Sequence, residues 1–314
     1  MPDLIVRRAV DADLPQILET LKAALGETPL LRRTSELWAW KHIDNPFGRS
    51  MILVADAQGR IAGVRAMMRW ELVTPQGATL RCLRPVDTAT HPEFMRSGVF
   101  RRLTTAAVDE AKSAGIDLIF NTPNEKSAPG YLKMGWRPIA DLDALVRPRL
   151  GASARVRHDT PPSIEQLAPD LESPNRFDLE DRPPRGLRTL RSETYLNWRF
   201  GSHPTASYGV LRDDGGVVVA RANSRGRWSE VVVSDLLGGA DSRSIKQLAR
   251  LNRARYIAGW FSPGTPERRS AIRGGMFPIP RRTLRLVALP IVELETDVFD
   301  MASWDLATSD LELL

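Results

Sequence analysis

The chain is poor in the residues that would announce a disulfide framework, a metal site or a membrane span. A single cysteine, Cys82, stands among 314 residues. It can form no internal disulfide, and its place in an apolar strand-like run marks a buried small side chain rather than a nucleophile. The four histidines, His42, His91, His158 and His203, show no paired ligand spacing, so no metal is expected. No apolar run approaches a membrane-spanning length, and the start, MPDLIVRRAV, reads neither as a signal peptide nor as an Arg/Ser-rich transit sequence. The expectation is a cytoplasmic chain with no membrane partner. Net charge is modest as well: 44 basic against 38 acidic side chains leave +6, which a solvated surface carries and to which a phosphate-bearing ligand adds a reason. Without an RNA-binding motif or interleaved aromatic and basic residues, nucleic acid is not expected as a partner.

What is there begins with HPEFMRSGVFRRL, His91 to Leu103. The preceding LRCLRPVDTAT (Leu80 to Thr90) alternates like a strand, and Pro92 ends it by removing a ladder donor. After it, Val99, Phe100, Leu103, Ala107 and Ala111 fall at helical spacing and give one apolar stripe. Between them a tight basic turn is centred on Gly98. Backbone N–H groups from Arg96 onward then sit at the positive end of a helix, with Arg96, Arg101 and Arg102 nearby, an arrangement that suits a phosphate. Downstream, DLIFNTPN (Asp117 to Asn124) reads as a buried strand ending in turn residues, followed at once by NEKSAPGYLKMGWRPI (Asn124 to Ile139).

These two blocks, in this order, resemble the local signatures of the GCN5-related N-acetyltransferases (GNAT). The family's pyrophosphate loop has the form R/Q-x-x-G-x-G/A; here Met95 stands at the Arg or Gln position, Arg96 is displaced by one, Gly98 is the first glycine and Phe100 replaces the second small residue. The second signature places Asn124, Ser127, Tyr131, Gly135 and Trp136 at the family's Asn, small-residue, Tyr and Gly-aromatic positions. The resemblance implies a mixed, mostly antiparallel sheet flanked by helices that opens between its fourth and fifth strands, with acetyl-CoA or another acyl-CoA as co-substrate in the opening. It implies a pyrophosphate on Met95, Arg96, Ser97, Gly98, Val99, Phe100 and Arg101, and a thioester beside Thr88, Ala89 and Thr90, where the backbone N–H of Ala89 or Thr90 polarises the carbonyl. Asn124 and Ser127 would meet the pantetheine or orient Tyr131, and Tyr131 would protonate the departing thiolate. For the base that frees the acceptor amine, Asp87 is the first candidate and Glu93 the second. Each of these residues also has a plain reading: a core tyrosine beside Trp136, a strand-end Asn, a salt-bridged Asp. Trp38 and Trp40 read as core of the second helix, and His91 as an extended structural residue.

An internal repeat organises the rest. SELWAWKHIDNPFGRSMILVADAQGRIAGVRAMMRW from Ser35 has an echo in SETYLNWRFGSHPTASYGVLRDDGGVVVARANSRGRW from Ser192. The turns Gln58-Gly59 and Gly215-Gly216 each separate two strand-like runs; VVVSDLLGG (Val231 to Gly239) stands where LRPVDTAT stood, and AIRGGMFPI (Ala271 to Ile279) where YLKMGWRPI stood. A period near 150 residues suits duplication of a whole domain. The expected organisation is therefore α/β (α+β): two tandem GNAT-like domains, a catalytic one over 1–150 and a degenerate one over 192–290. An irregular Pro/Arg-rich connector over 151–191 joins them, and a tail over 291–314 carries Trp304 and Leu306 to pin it. In the second copy Ala271 stands for Tyr131, and GGADSRSIKQL (Gly238 to Leu248) has no basic glycine turn after a strand-ending Pro, so it is expected to have lost CoA and to be structural, with homodimer contacts as the alternative. In the first half the patterns predict a strand (Leu4 to Arg8), a helix (Leu14 to Leu25) with Pro15 in its first turn and Asp13 or Asp11 as cap, and a helix (Ser35 to Ile43). A meander (Met51 to Thr90) follows, then helix, strand, helix and strand to about Val146. The expected function is transfer of an acyl group from acyl-CoA to a small amine. The alternatives are a Fem-type aminoacyl transferase drawing on charged tRNA and an acyl-CoA-holding module without turnover.

Overall fold

The computed structural model describes residues 4–28, 32–149, 162–175, 177, 182–213 and 216–311, with backbone alone for 280–283. Gly151 to Pro161 of the expected connector and Gly215 of the expected second turn lie outside the described residues. The chain forms two compact units: one comprises 1–72, 79–139 and 286–299, the other 73–78, 140–285 and 300–314.

The first unit is built on a sheet in the order β1 (Ile5–Arg8), β2 (Met51–Ala57), β3 (Arg60–Val73), β4 (Thr79–Thr90), β5 (Leu118–Asn121). The strand runs and their turn were legible in the residues. Gln58 and Gly59 join β2 to β3 at φ 57 and 88, the left-handed pair that matches the twist of a two-residue hairpin, and the Asp56 carboxylate accepts the Gly59 N–H at 2.7 Å. Helices α1 (Leu14–Leu25) and α2 (Ser35–His42) lie on one face, where Ile17, Leu21 and Trp38 bury against Val54, Ile61, Val64 and Ala66. Trp38 and Trp40 are both core, as the sequence suggested. The helix α3 (Val99–Ser113) and the short α4 (Ala128–Lys133) cover the other face, where Val99, Leu103, Ala107, Ala111, Tyr131 and Trp136 meet Leu53, Ala55, Met67 and Ile119. One expectation is corrected. Asp13 holds the cap position of α1 but its carboxylate serves the loop before it, accepting from the Val10 N–H at 2.8 Å and from Arg7 at 2.7 Å, so the helix start has no side-chain cap.

The strand β6 (Arg137–Pro148) leads out of the first unit, whose second segment ends at Ile139. The second unit contains α5 (Ile164–Leu167), β7 (Arg188–Thr189) and α6 (Glu193–Leu196), then the meander β8 (Tyr208–Asp213), β9 (Gly216–Arg225) and β10 (Trp228–Gly238). It continues through α7 (Ser242–Leu251), β11 (Tyr256–Gly259), α8 (Pro266–Arg273) and β12 (Phe277–Pro290), and closes with α9 (Thr308–Leu311). Strand–strand–strand–helix–strand–helix–strand is the same succession as β2 to β6, and in both units the last meander strand pairs in parallel with the strand after the helix: Leu83 with Ile119, and Val232 with Ala258.

The units divide the chain differently from the expected boundaries. Residues 145–148 of β6 pair with β11 in the second unit (Leu145 with Gly259, Pro148 with Tyr256), and residues 287–290 of β12 pair with β5 in the first (Val287 with Asn121, Pro290 with Leu118). Each unit thus takes its closing strand from a segment that begins in the other. The stretch expected as connector contributes α5 and β7, and the tail is not a surface strap. Trp304 and Leu306 are buried, and Asp310, fully buried in the second unit, accepts from the Thr189 hydroxyl at 2.6 Å and from the Ala307 N–H at 2.6 Å.

Candidate active site

In the first unit β4 and β5 pair at Cys82↔Leu118 and Leu83↔Ile119, and beyond that point residues of both strands line one cleft. Pro85 to Thr90 of β4 form one wall. Asn121 to Asn124, Ser127, Gly130 and Tyr131 form another, and Met95, Phe100, Ala24 and Leu25 complete the lining around a volume of about 530 Å³. That is within the range of small-ligand sites, and the parting of two parallel strands is what lets an extended ligand enter a sheet.

Next to the cleft is the loop before α3. Arg96 adopts φ 64 and Gly98 φ 79, left-handed conformations that are disfavoured for a side-chain-bearing residue and free for glycine. They turn the chain sharply into the helix. The N–H groups of Gly98, Val99, Phe100 and Arg101 have no hydrogen-bond partner among the described residues, and the helix behind them is 15 residues long. A helix end of this kind attracts an anion. Arg96 and Arg101 are exposed and have no ion-pair partner among the described residues, whereas Arg102 is committed elsewhere, donating to the Leu4 carbonyl at 2.7 Å. Close approach of α3 to the sheet depends on Gly63 of β3, where a Cβ would stand 2.5 Å from Val99.

Tyr131 is 3% exposed. Its ring meets Phe100 edge-on at 5.5 Å and Trp136 at 5.1 Å, and its oxygen accepts a hydrogen bond from the Arg65 guanidinium at 2.9 Å. Phe100, where the family loop carries a small residue, packs onto Gly130, at which a Cβ would come within 2.8 Å of the ring. Asn124 behaves as the strand-end turn residue of its plain reading, its side-chain oxygen accepting from the Ser127 N–H at 2.9 Å and the Ser127 hydroxyl at 3.1 Å at the start of α4. Asn121, unmarked by any motif, lines the cleft with a buried side-chain oxygen that has no partner among the described residues.

The two base candidates part company. Glu93 is not in the cleft wall; it is an exposed surface residue paired with Arg60 at 2.6 Å. Asp87 is in the wall, on a β4 residue with φ 38, and is surrounded: it accepts from Arg33 at 3.0 Å, from Lys41 at 2.8 Å and from the His42 Nε2 at 3.2 Å. Burial alone would push its carboxyl up, but Lys41 and His42 outweigh burial and hold it well below the usual carboxylate range. Burial lowers His42 despite Asp87, so its imidazole is neutral at pH 7, giving its Nε2 proton to Asp87 while Nδ1 faces the Ser50 hydroxyl at 2.9 Å. A carboxylate so engaged is a poor proton acceptor. Its geometry is that of an anchor tying α2 and the segment before it to β4. His91 accepts the Glu93 N–H and caps the single turn after β4, a structural task. Cys82 is buried, and burial raises its thiol well above its ordinary value.

The corresponding place in the second unit is filled. There the helix after the meander, α7, begins at Asp241, whose own carboxylate accepts the Arg243 N–H at 2.6 Å. Ser244 in the same turn donates to Asp213. An internal anion occupies the helix end that a phosphate would need, and Ala271, at the Tyr131 position, is fully buried in the core.

An α/β unit whose parallel strand pair parts into a cleft, with an open helix end beside it, can take an extended ligand that carries an anionic group. Residues 5–139 match the family model described as an acetyltransferase (GNAT) domain, and this part of the chain is a GNAT domain; the family uses acyl-CoA as co-substrate. Solved structures similar to the chain include a GCN5-related N-acetyltransferase from Anabaena variabilis ATCC 29413 (10% identity, TM-score 0.62, covering 92% of this chain and 73% of that one). Others are a GCN5-related N-acetyltransferase from Kribbella flavida (12%, 0.60, 92% and 72%) and Eis1 from Mycobacterium abscessus (16%, 0.58, 90% and 73%). At these identities the likeness is one of fold. A search of curated proteins returned no match. Among the described residues no helix is long and apolar enough to cross a membrane, and no cluster of His, Cys, Asp and Glu could hold a metal ion.

Proposed function

We propose that the first unit transfers an acyl group, with acetyl-CoA as the simplest donor, from the thioester directly to a small amine. The cleft fits such a donor: the open N–H groups of Gly98 to Arg101, with Arg96 and Arg101, would take the pyrophosphate. The orphan oxygen of Asn121 would receive an N–H of the pantetheine arm. The backbone N–H of Ala89 or Thr90 would meet the thioester oxygen as it gains charge. The amine attacks the carbonyl carbon, the C–S bond breaks, and the thiolate takes the proton of the Tyr131 hydroxyl. With Asp87 locked in its cation cage and no other carboxylate among the cleft-lining residues, the amine releases its proton to water.

The observation that carries this reading is Tyr131 in the cleft wall with its oxygen accepting from Arg65, which leaves its O–H free of any acceptor among the described residues. The second unit, whose helix end is self-capped by Asp241, would support the first without binding CoA, and no membrane or nucleic-acid partner is needed. The test is release of CoA thiol from acetyl-CoA across a panel of small amines. Amine-dependent release that falls ~10²- to 10⁴-fold in Tyr131→Phe with unchanged acetyl-CoA affinity is expected. Tight acetyl-CoA binding with no turnover on any amine would make the chain a holder of acyl-CoA, and wild-type turnover in Tyr131→Phe would return that residue to packing.

A further inference from the structure

The buried side chain hardest to account for by packing is Arg65. It lies in the middle of β3 and is fully buried. Alternation along β3 puts Gly63, Arg65 and Met67 on one face, opposite Ala55, Leu53 and Met51 of β2, all three small or apolar. No carboxylate pairs with Arg65 among the described residues. Its Nη1 donates to Tyr131 at 2.9 Å and to the Thr88 hydroxyl at 3.3 Å, and its Nε and Nη2 are buried with no partner among the described residues. Its guanidinium faces the Phe100 ring at 5.3 Å and the Tyr131 ring at 5.0 Å. A charge kept out of water with so few hydrogen bonds is costly, and an apolar residue of similar volume would be expected to pack there at no such cost.

We propose that Arg65 is the positioning residue for Tyr131: it claims the phenol oxygen as acceptor, so that the phenol's single proton faces the cleft, and its charge meets the negative charge left on that oxygen when the proton departs. The inference rests on the acyl-transfer reading above. A guanidinium has donors only, so in this contact Tyr131 must accept, and its own hydrogen must point away. When the C–S bond breaks, the sulfur keeps the bonding pair and takes the phenol proton; the phenolate remains hydrogen-bonded to Arg65 and regains a proton from water as the attacking nitrogen loses its own. Burial lowers Arg65 from its ordinary value, with Tyr131 opposing the drop, and a guanidinium keeps its charge throughout the working range.

The same arrangement accounts for the departure of the loop from the family pattern. Phe100 replaces a small residue, and its ring covers the guanidinium face and rests on Gly130, which has no Cβ to obstruct it. Arg65, Phe100 and Gly130 form one unit that keeps water from the Arg65–Tyr131 contact.

The test is a double-mutant cycle on kcat for thiol release from acetyl-CoA, using the amine that gives the fastest turnover or water where none does, with acetyl-CoA affinity measured separately by calorimetry. Arg65→Met should lower kcat ~10- to 10²-fold, a part of what general acid assistance supplies, and leave acetyl-CoA affinity within about twofold. In the Tyr131→Phe background the same change should cost nothing further, because Arg65 acts through the phenol. Equal losses in both backgrounds, a loss confined to acetyl-CoA affinity, or wild-type kcat in Arg65→Met while Tyr131→Phe is impaired would each overturn the proposal. Wild-type kcat in Tyr131→Phe would instead remove the reading on which it rests. Should Arg65→Met not fold, Arg65→Lys, a point charge without the planar fork, is read the same way: a loss that vanishes without the phenol supports the proposal, and no loss or an equal loss in both backgrounds refutes it.

Discussion

Replacing Asp87 with Asn tests whether this carboxylate is an anchor or a base. Asp87, Arg33, Lys41 and His42 have side-chain exposures of 11, 7, 7 and 0%, so solvent screens the cluster little. Asn keeps the shape but removes the charge, and its NH2 group must face one of the donors now bound to a carboxylate oxygen. Arg33 and Lys41 are then left as neighbouring buried cations without a counter-charge, a loss of ~3–5 kcal/mol for breaking a buried pair. Against a whole-domain stability of about 5–15 kcal/mol, the variant should fold yet unfold at markedly lower urea, read by tryptophan fluorescence and circular dichroism. The pH dependence has a definite direction. His42 is held below its ordinary value in the folded state, so its contribution is complete above about pH 6.5 and declines as pH falls. Asp87 is also held low, so its contribution is complete above about pH 4 and is lost as pH drops through its folded value. Wild type should therefore weaken in two stages on acidification, and Asp87→Asn should lack the lower one. A variant within about 1 kcal/mol of wild type that has nonetheless lost turnover at every pH would refute the anchor reading and restore Asp87 as the base.

Gly130→Ala should destabilise the first unit by ~1–3 kcal/mol through overpacking against Phe100. In a Phe100→Ala background it should instead be neutral or stabilising by up to about 1 kcal/mol, because alanine is the better helix residue; denaturant midpoints for the four proteins check this, and equal effects in both backgrounds would contradict the packing. A fragment ending at Arg149 should aggregate, because β5 would lose the 287–290 partner and expose an edge; light scattering showing a stable monomer would contradict the strand exchange. Asp241→Ala should cost about 1 kcal/mol as the loss of a helix cap and should give the second unit no affinity for CoA, which calorimetry on a Gly98→Glu background reads directly.

Much of the first unit was legible because its signals are local. Alternation set β2 to β4, Gln58-Gly59 could hardly be anything but a hairpin turn, and the Val99–Leu103–Ala107–Ala111 stripe fixed which side of α3 meets the sheet. The loop and Tyr131 were found because their residues are close in sequence. What escaped was non-local. Asp87 reads from sequence as a base or as a salt-bridged carboxylate, and nothing local decides between them because its partners Lys41 and Arg33 stand 46 and 54 positions away. Arg65 passed unnoticed inside IAGVRAMMRW, although a charged residue on the buried side of an otherwise apolar strand was a signal that could have been read. Nothing within β6 or β12 announces which strand each will join, so the exchange of closing strands appears only when the register is known. Asp13 shows the converse: its position suited a cap, but Arg7 and the Val10 N–H were the stronger partners.

The central claim, that an acyl-CoA pyrophosphate rests on the helix end at Gly98, is tested most directly by titrating acetyl-CoA into wild type and Gly98→Glu in a calorimeter. A Cβ at Gly98 meets nothing within 4 Å, so the substitution adds a carboxylate at the open N–H groups with a left-handed backbone strain of only ~1–2 kcal/mol. The account predicts saturable one-to-one binding by wild type and none by a folded Gly98→Glu protein. Unchanged affinity in Gly98→Glu, or no binding by wild type, would contradict it.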